Sequence, residues 1–172
     1  MTPKDAADLA AFLRTVAAVK GKAPLNALAF PFSIRRVVGL WKRLYFDNAG
    51  LSPDPSQSEQ WNRGRYLVEG PGHCGECHTP RGFLGEMELS RALAGAPLPD
   101  GHGKAANLRG GDFLNWSNAD IVTSGFTPSG DVLGSGMTAV VRNLAELPDA
   151  DRQATARPRL RERQREHQPI TH

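Results

Sequence analysis

Cys74-Gly-Glu-Cys77-His78 constrains this chain more than any other stretch. Its cysteines are the only two in 172 residues, they stand three apart, and a histidine follows the second at once. On a turn leading into a helix, two thiols at that spacing reach one porphyrin together, and the next imidazole lies against a face of the ring. This is the C-x-x-C-H pattern of haem attachment, in which the histidine ligates iron. Two other chemistries use paired cysteines. Zinc needs two further ligands, no other cysteine exists in the chain, and such a site would have to take two of the five histidines. A thioredoxin-like redox pair should follow a strand in a βαβ pattern, and no such pattern surrounds this one. Cys74 and Cys77 are therefore read as covalent attachment points and His78 as an iron ligand.

Composition fits a cofactor-centred fold. The hydrophobic fraction is 40%, while glycine and proline number 18 and 13. A porphyrin would supply core that side chains otherwise provide. The net charge of +3 selects no partner, although the run from Arg152 to Arg165 is densely basic. That run lacks interleaved aromatic residues, so it reads as a disordered tail and not as a nucleic-acid surface. No apolar run is long enough to cross a bilayer. No basic-then-apolar leader opens the chain, so the expectation is either that an export signal lies upstream and haem is attached, or that the polypeptide is never matured.

Taken in order, Thr2-Pro3-Lys4-Asp5 is a helix start, and apolar residues recur at helical spacing as far as a stop at Lys20-Gly21. This predicts an amphipathic helix of about five turns. Leu25 to Asp47 shows no clean period. Its aromatic and basic residues between 30 and 46 fit either an irregular strap across a globular part or a segment on a membrane surface, and the strap is preferred. Ser56-Gln-Ser-Glu59 reads as a capping box opening a helix with Trp61, Gly64, Leu67 and Val68. Loop is expected over 79–110, a helix start at Trp116, and a helical patch at Val140, Val141 and Leu144.

With those residues read, the chain resembles the class I c-type cytochromes. The closer likeness is to one haem domain of the multi-haem cytochrome subunits of bacterial membrane-bound dehydrogenases. The words that carry it are Trp61-x-Arg63-Gly64-x-Tyr66, Gly72-His-Cys-Gly-Glu-Cys-His-Thr-Pro-Arg81, Leu93-Ala-Gly95, Asn107, Trp116-Ser, Asp120-Ile121 and Gly136-Met137. The resemblance implies an all-α, class I cytochrome c fold with long loops around one covalent haem c. It implies that residues 1–24 are the closing helix of a preceding haem domain, 25–58 an inter-domain strap and linker, and 59–151 the cytochrome domain. Residues 152–172 are then a basic tail where a closing helix is expected. The family commonly has Pro-Asn where this chain has Ala106-Asn107.

Met137, in a glycine-rich stretch well downstream of His78, is the expected sixth ligand of the iron. Met87, His73 and His102 are the other candidates, and are read as packing or surface residues. Arg81, Asn107 and Trp116 have the donors to bond haem propionates. The expected function is electron transfer on the periplasmic side of the inner membrane, from a dehydrogenase subunit toward a quinone or an oxidase. Two rivals are a peroxidase-like haem enzyme with an open sixth position and a truncated or frameshifted product without activity.

Overall fold

The computed structural model describes residues 1–25, 27–28, 30–46, 50–98, 103–109 and 136–155. The chain divides into two compact units, Met1–Ser52 and Pro53–His172. Helix dominates the described residues, with one short ladder of strand.

In the first unit, α1 spans Pro3–Thr15. Thr2 caps it as predicted: its Oγ1 accepts from the Asp5 backbone N–H at 3.1 Å, and Pro3 occupies the first turn. The helix ends short of the predicted stop at Lys20. Thr15 turns its hydroxyl back onto the Phe12 carbonyl at 2.7 Å, and Val16 is already extended. A hydroxyl that competes for helix carbonyls, followed by a β-branched residue, is a poor continuation for a helix with no buried face.

The stretch read as an irregular strap is largely a helix, α2, spanning Arg35–Tyr45. The period is regular after all. Ile34, Val37, Val38, Trp41, Leu44 and Tyr45 follow i, i+3, i+4, i+7 spacing, and Arg35, Arg36, Lys42 and Arg43 fall on the opposite side. Trp41 and Tyr45 meet one turn apart with ring centroids 5.4 Å apart. Lys42 Nζ lies 4.7 Å from the Phe46 ring centroid.

In the second unit, α3 spans Glu59–Glu69. Its cap is Ser58 and not Ser56, with Ser58 Oγ accepting from the Trp61 N–H at 3.2 Å. Ser56 is taken by the preceding turn, where its N–H and hydroxyl both donate to Asp54 Oδ1. The Asn62 side-chain amide ties that turn to the helix, accepting from the Asp54 N–H at 2.7 Å and donating to the Asp54 carbonyl at 2.9 Å. Gly64 and Val68 are the buried positions of α3.

A single turn, α4, spans Gly75–His78. Two residue pairs, β1 (Ala96–Pro97) and β2 (Lys104–Ala105), form an antiparallel ladder with Ala96 opposite Ala105. Further on, α5 spans Met137–Ala145 and buries Val141. Residues 149–155 are helical again, here α6, with Ala154 and Thr155 buried. This helix passes through the expected domain end at 151. It is tied to α3 by Arg63, whose Nε and terminal nitrogen donate to the two Asp151 carboxylate oxygens at 2.8 and 2.7 Å. Arg152 bonds back to the Ala145 carbonyl at 2.9 Å and to Asp149, closing the turn between α5 and α6.

Candidate functional site

The cysteine–histidine turn hangs from the end of α3. As that helix runs out, Gly70 N–H still bonds to Tyr66, Gly72 N–H reaches the Leu67 carbonyl at 2.8 Å, and Cys74 N–H reaches Val68 at 3.0 Å. The chain therefore doubles back tightly beneath its own helix. A Cβ at Gly72 would sit 2.6 Å from the Leu67 oxygen, so only glycine makes this approach. His73, with φ +32°, turns the backbone into α4. Hydrogen bonds from His78 N to Cys74 O and from Thr79 N to Gly75 O complete the turn.

Neither cysteine is in a disulfide; Cys74 is half-buried and Cys77 exposed. Cys74 packs against the buried cluster of Val68, Leu93 and Leu108. His78 is buried, and its Nδ1 lies 2.7 Å from the Ala106 carbonyl oxygen. A backbone carbonyl can only accept, so Nδ1 carries the proton and the ring's lone pair is left on Nε2. Such a bond also fixes the ring's orientation and raises its basicity as a ligand.

Three backbone bonds hold this arrangement from the other side. Leu93 N–H donates to the hydroxyl of the fully buried Thr79 at 3.0 Å. Gly95 N–H donates to the His78 carbonyl at 2.8 Å, and Leu108 N–H to the Leu93 carbonyl at 2.8 Å. The segment 93–95 is thus a spacer between the histidine turn and the 106–108 backbone. These main-chain partners were invisible in the sequence, because a carbonyl acceptor leaves no mark on residue type.

The remaining expected site residues are placed less uniformly. Arg81 directs its guanidinium to the Glu76 carbonyl and carboxylate and to the Gly85 carbonyl at 3.0 Å. Asn107 follows directly after the histidine's acceptor, and its Oδ1 accepts from the Arg109 N–H at 2.8 Å. Met137 is the first residue of α5 and half-buried. Met87 Sδ lies beside α4, 3.6 Å from where a Cβ on Gly75 would be, in keeping with a packing role. His73 is exposed. Trp116 and His102 lie outside the described residues, as does the helix expected after Trp116. Among the described residues no three His, Cys, Asp or Glu gather closely enough to hold a metal ion.

Two cysteines outside any disulfide and a buried histidine on the Ala106 carbonyl, all on one turn of a helix-rich unit, suit a c-type cytochrome. No protein-family profile matches the chain. It is 47% identical over 157 residues to a diheme cytochrome c-type protein of Cereibacter sphaeroides, covering 90% of this chain and 52% of that one. It is 37% identical over 159 residues to the fructose dehydrogenase cytochrome subunit of Gluconobacter japonicus, covering 88% and 32%. With the cytochrome c subunit of the alcohol dehydrogenase (quinone) of Gluconobacter oxydans it shares 34% over 152 residues, covering 81% and 31%. The chain spans about half the length of the first relative and about a third of the other two. It is a homologue of the cytochrome c subunits of dehydrogenases, and what it shares with them is a c-type cytochrome domain.

Proposed function

We propose that this chain is an electron carrier with haem c held covalently by Cys74 and Cys77. The observation that carries the reading is the His78 ring, buried on the cysteine turn with Nδ1 on the Ala106 carbonyl. Any buried imidazole gains from pairing its N–H, and on this turn the same bond also leaves Nε2 in the unprotonated form that a metal ligand needs. Bound there, haem supplies one-electron chemistry at its iron, ferric to ferrous and back.

The chain's residues divide the remaining work. Cys74, packed on the Val68, Leu93 and Leu108 cluster, and the exposed Cys77 would each take one vinyl group of the porphyrin. His78 would offer its Nε2 to the iron, and Met137 would offer its thioether sulfur, which would raise the potential relative to a second histidine. With both residues bound, substrate would have no place at the iron, and the protein would carry electrons without being an enzyme. Arg81, Asn107 and Trp116 are propionate partners in this reading.

One haem in a class I fold over residues 59–151 accounts for the single C-x-x-C-H word. By analogy with its relatives, the electron donor is a dehydrogenase subunit, and a quinone or oxidase receives the electron on the periplasmic side of the membrane. The test is a spectrum of protein matured by a periplasmic cytochrome c assembly system. The oxidised form should show the sulfur-to-iron band at the red edge of the visible range, and Met137→Ala should abolish it. Reduced wild type should not bind carbon monoxide. Rapid carbon monoxide binding would mean an open sixth position and a haem enzyme instead.

A further inference from the structure

The first unit carries an exposed stretch that is both basic and aromatic. Between Asp8 and Asp47 the chain has no acidic residue, yet it has seven basic ones and half of its aromatic side chains. The basic excess is local, with eight basic against three acidic residues up to Ser52 and thirteen against fifteen beyond it. Helix α2 sorts this stretch by side. None of its residues is buried, and Leu40 and Leu44 are 59% and 65% exposed. Phe30, Phe32, Ile34 and Phe46, just outside the helix, are exposed too. Among the described residues Arg35, Arg36, Lys42 and Arg43 have no carboxylate partner.

We propose that α2 and its flanking phenylalanines dock this protein on the surface of an anionic lipid bilayer. Charge complementarity chooses the occupant. A second copy would bring cations against cations, whereas anionic headgroups neutralise all four basic side chains while acyl chains receive the apolar side. Trp41 and Tyr45, in tilted contact on that side, have the amphipathic rings that settle at headgroup level. The arginine and lysine stems are long enough to lie along the boundary with their charges in the headgroups. The helix has 11 residues, and among the described residues no helix is long and apolar enough to cross a membrane. It therefore lies on the bilayer and does not span it.

The test is co-sedimentation of the full, haem-loaded chain with vesicles of phosphatidylcholine alone or mixed with phosphatidylglycerol. The wild type should pellet with the mixed vesicles, far less with the neutral ones, and less again as salt is raised. Each cation removed should weaken partitioning about fivefold, so Arg35→Gln with Arg36→Gln should cost about 25-fold. Val38→Asp with Leu44→Asp, at exposed positions, should abolish binding with circular dichroism and the haem spectrum unchanged. Equal pelleting with both vesicle types, or full binding by the Val38/Leu44 variant, would overturn the proposal. So would a lipid-free dimer that Val38→Asp with Leu44→Asp dissociates, or a face that takes an acidic protein but no vesicle.

Discussion

Replacing Gly95 by alanine should do more harm than the loss of any glycine's freedom explains. At φ +85° the backbone is in the left-handed region, which costs an alanine about 1–2 kcal/mol. The new Cβ would also lie 2.9 Å from Ala105 O, 3.0 Å from Asn107 N and 3.2 Å from Ala106 C. These are main-chain atoms of the segment whose Ala106 carbonyl holds His78, so relief must come from moving that backbone. Overpacking of this kind costs about 1–3 kcal/mol more. The sum, about 2–5 kcal/mol, is a large part of the roughly 5–15 kcal/mol that holds a domain folded. Gly85 is the control. Its φ is +81°, yet a Cβ there meets nothing within 4 Å, so Gly85→Ala should cost only the backbone part. Urea unfolding of both variants, followed by far-ultraviolet circular dichroism on the matured protein, measures the difference. The reasoning fails if Gly95→Ala is no more destabilising than Gly85→Ala.

Asp151→Asn should lower stability by about 1 kcal/mol at neutral pH, discounted for the half-exposed Arg63 partner. The hydrogen bond from Arg63 holds the Asp151 carboxyl below its ordinary 3.8, against the opposing effect of burial. A lowered folded pKa gives stability that is present above 3.8 and lost as pH falls through the folded value, so wild type and variant should converge only in acid. Urea titrations across that range check it, and a gap unchanged in strong acid would contradict it. Thr79→Val keeps the buried shape but takes the acceptor from Leu93 N–H, and thermal unfolding should report a loss of about 1–3 kcal/mol.

What could be read from the sequence was local. Thr2 and Pro3 announce a helix start through their own chemistry, and the five residues from Cys74 to His78 carry their spacing on their face. The cap of α3 was misassigned because two serines stand two apart, and only the turn at Asp54 decides which is occupied. The period of α2 was obscured by pairs, since Arg35-Arg36 and Lys42-Arg43 interrupt the apolar residues along the chain but not around the helix. Met137 stands out in the sequence as the residue that closes a glycine-rich stretch, and it is the first residue of α5. The acceptor for His78, the buried hydroxyl under Leu93 and the close approach at Gly95 all involve backbone brought together across many residues. No residue type encodes a carbonyl's aim, so these appear only once the chain is folded.

Covalent attachment is the claim from which the rest follows, and intact-protein mass spectrometry of the denatured chain tests it directly. Protein made with a cytochrome c assembly system should gain the mass of one haem and keep it through acid-acetone extraction. Replacing both Cys74 and Cys77 by alanine should remove that added mass. A wild-type chain at its bare polypeptide mass, with the haem in the extract, would contradict the account.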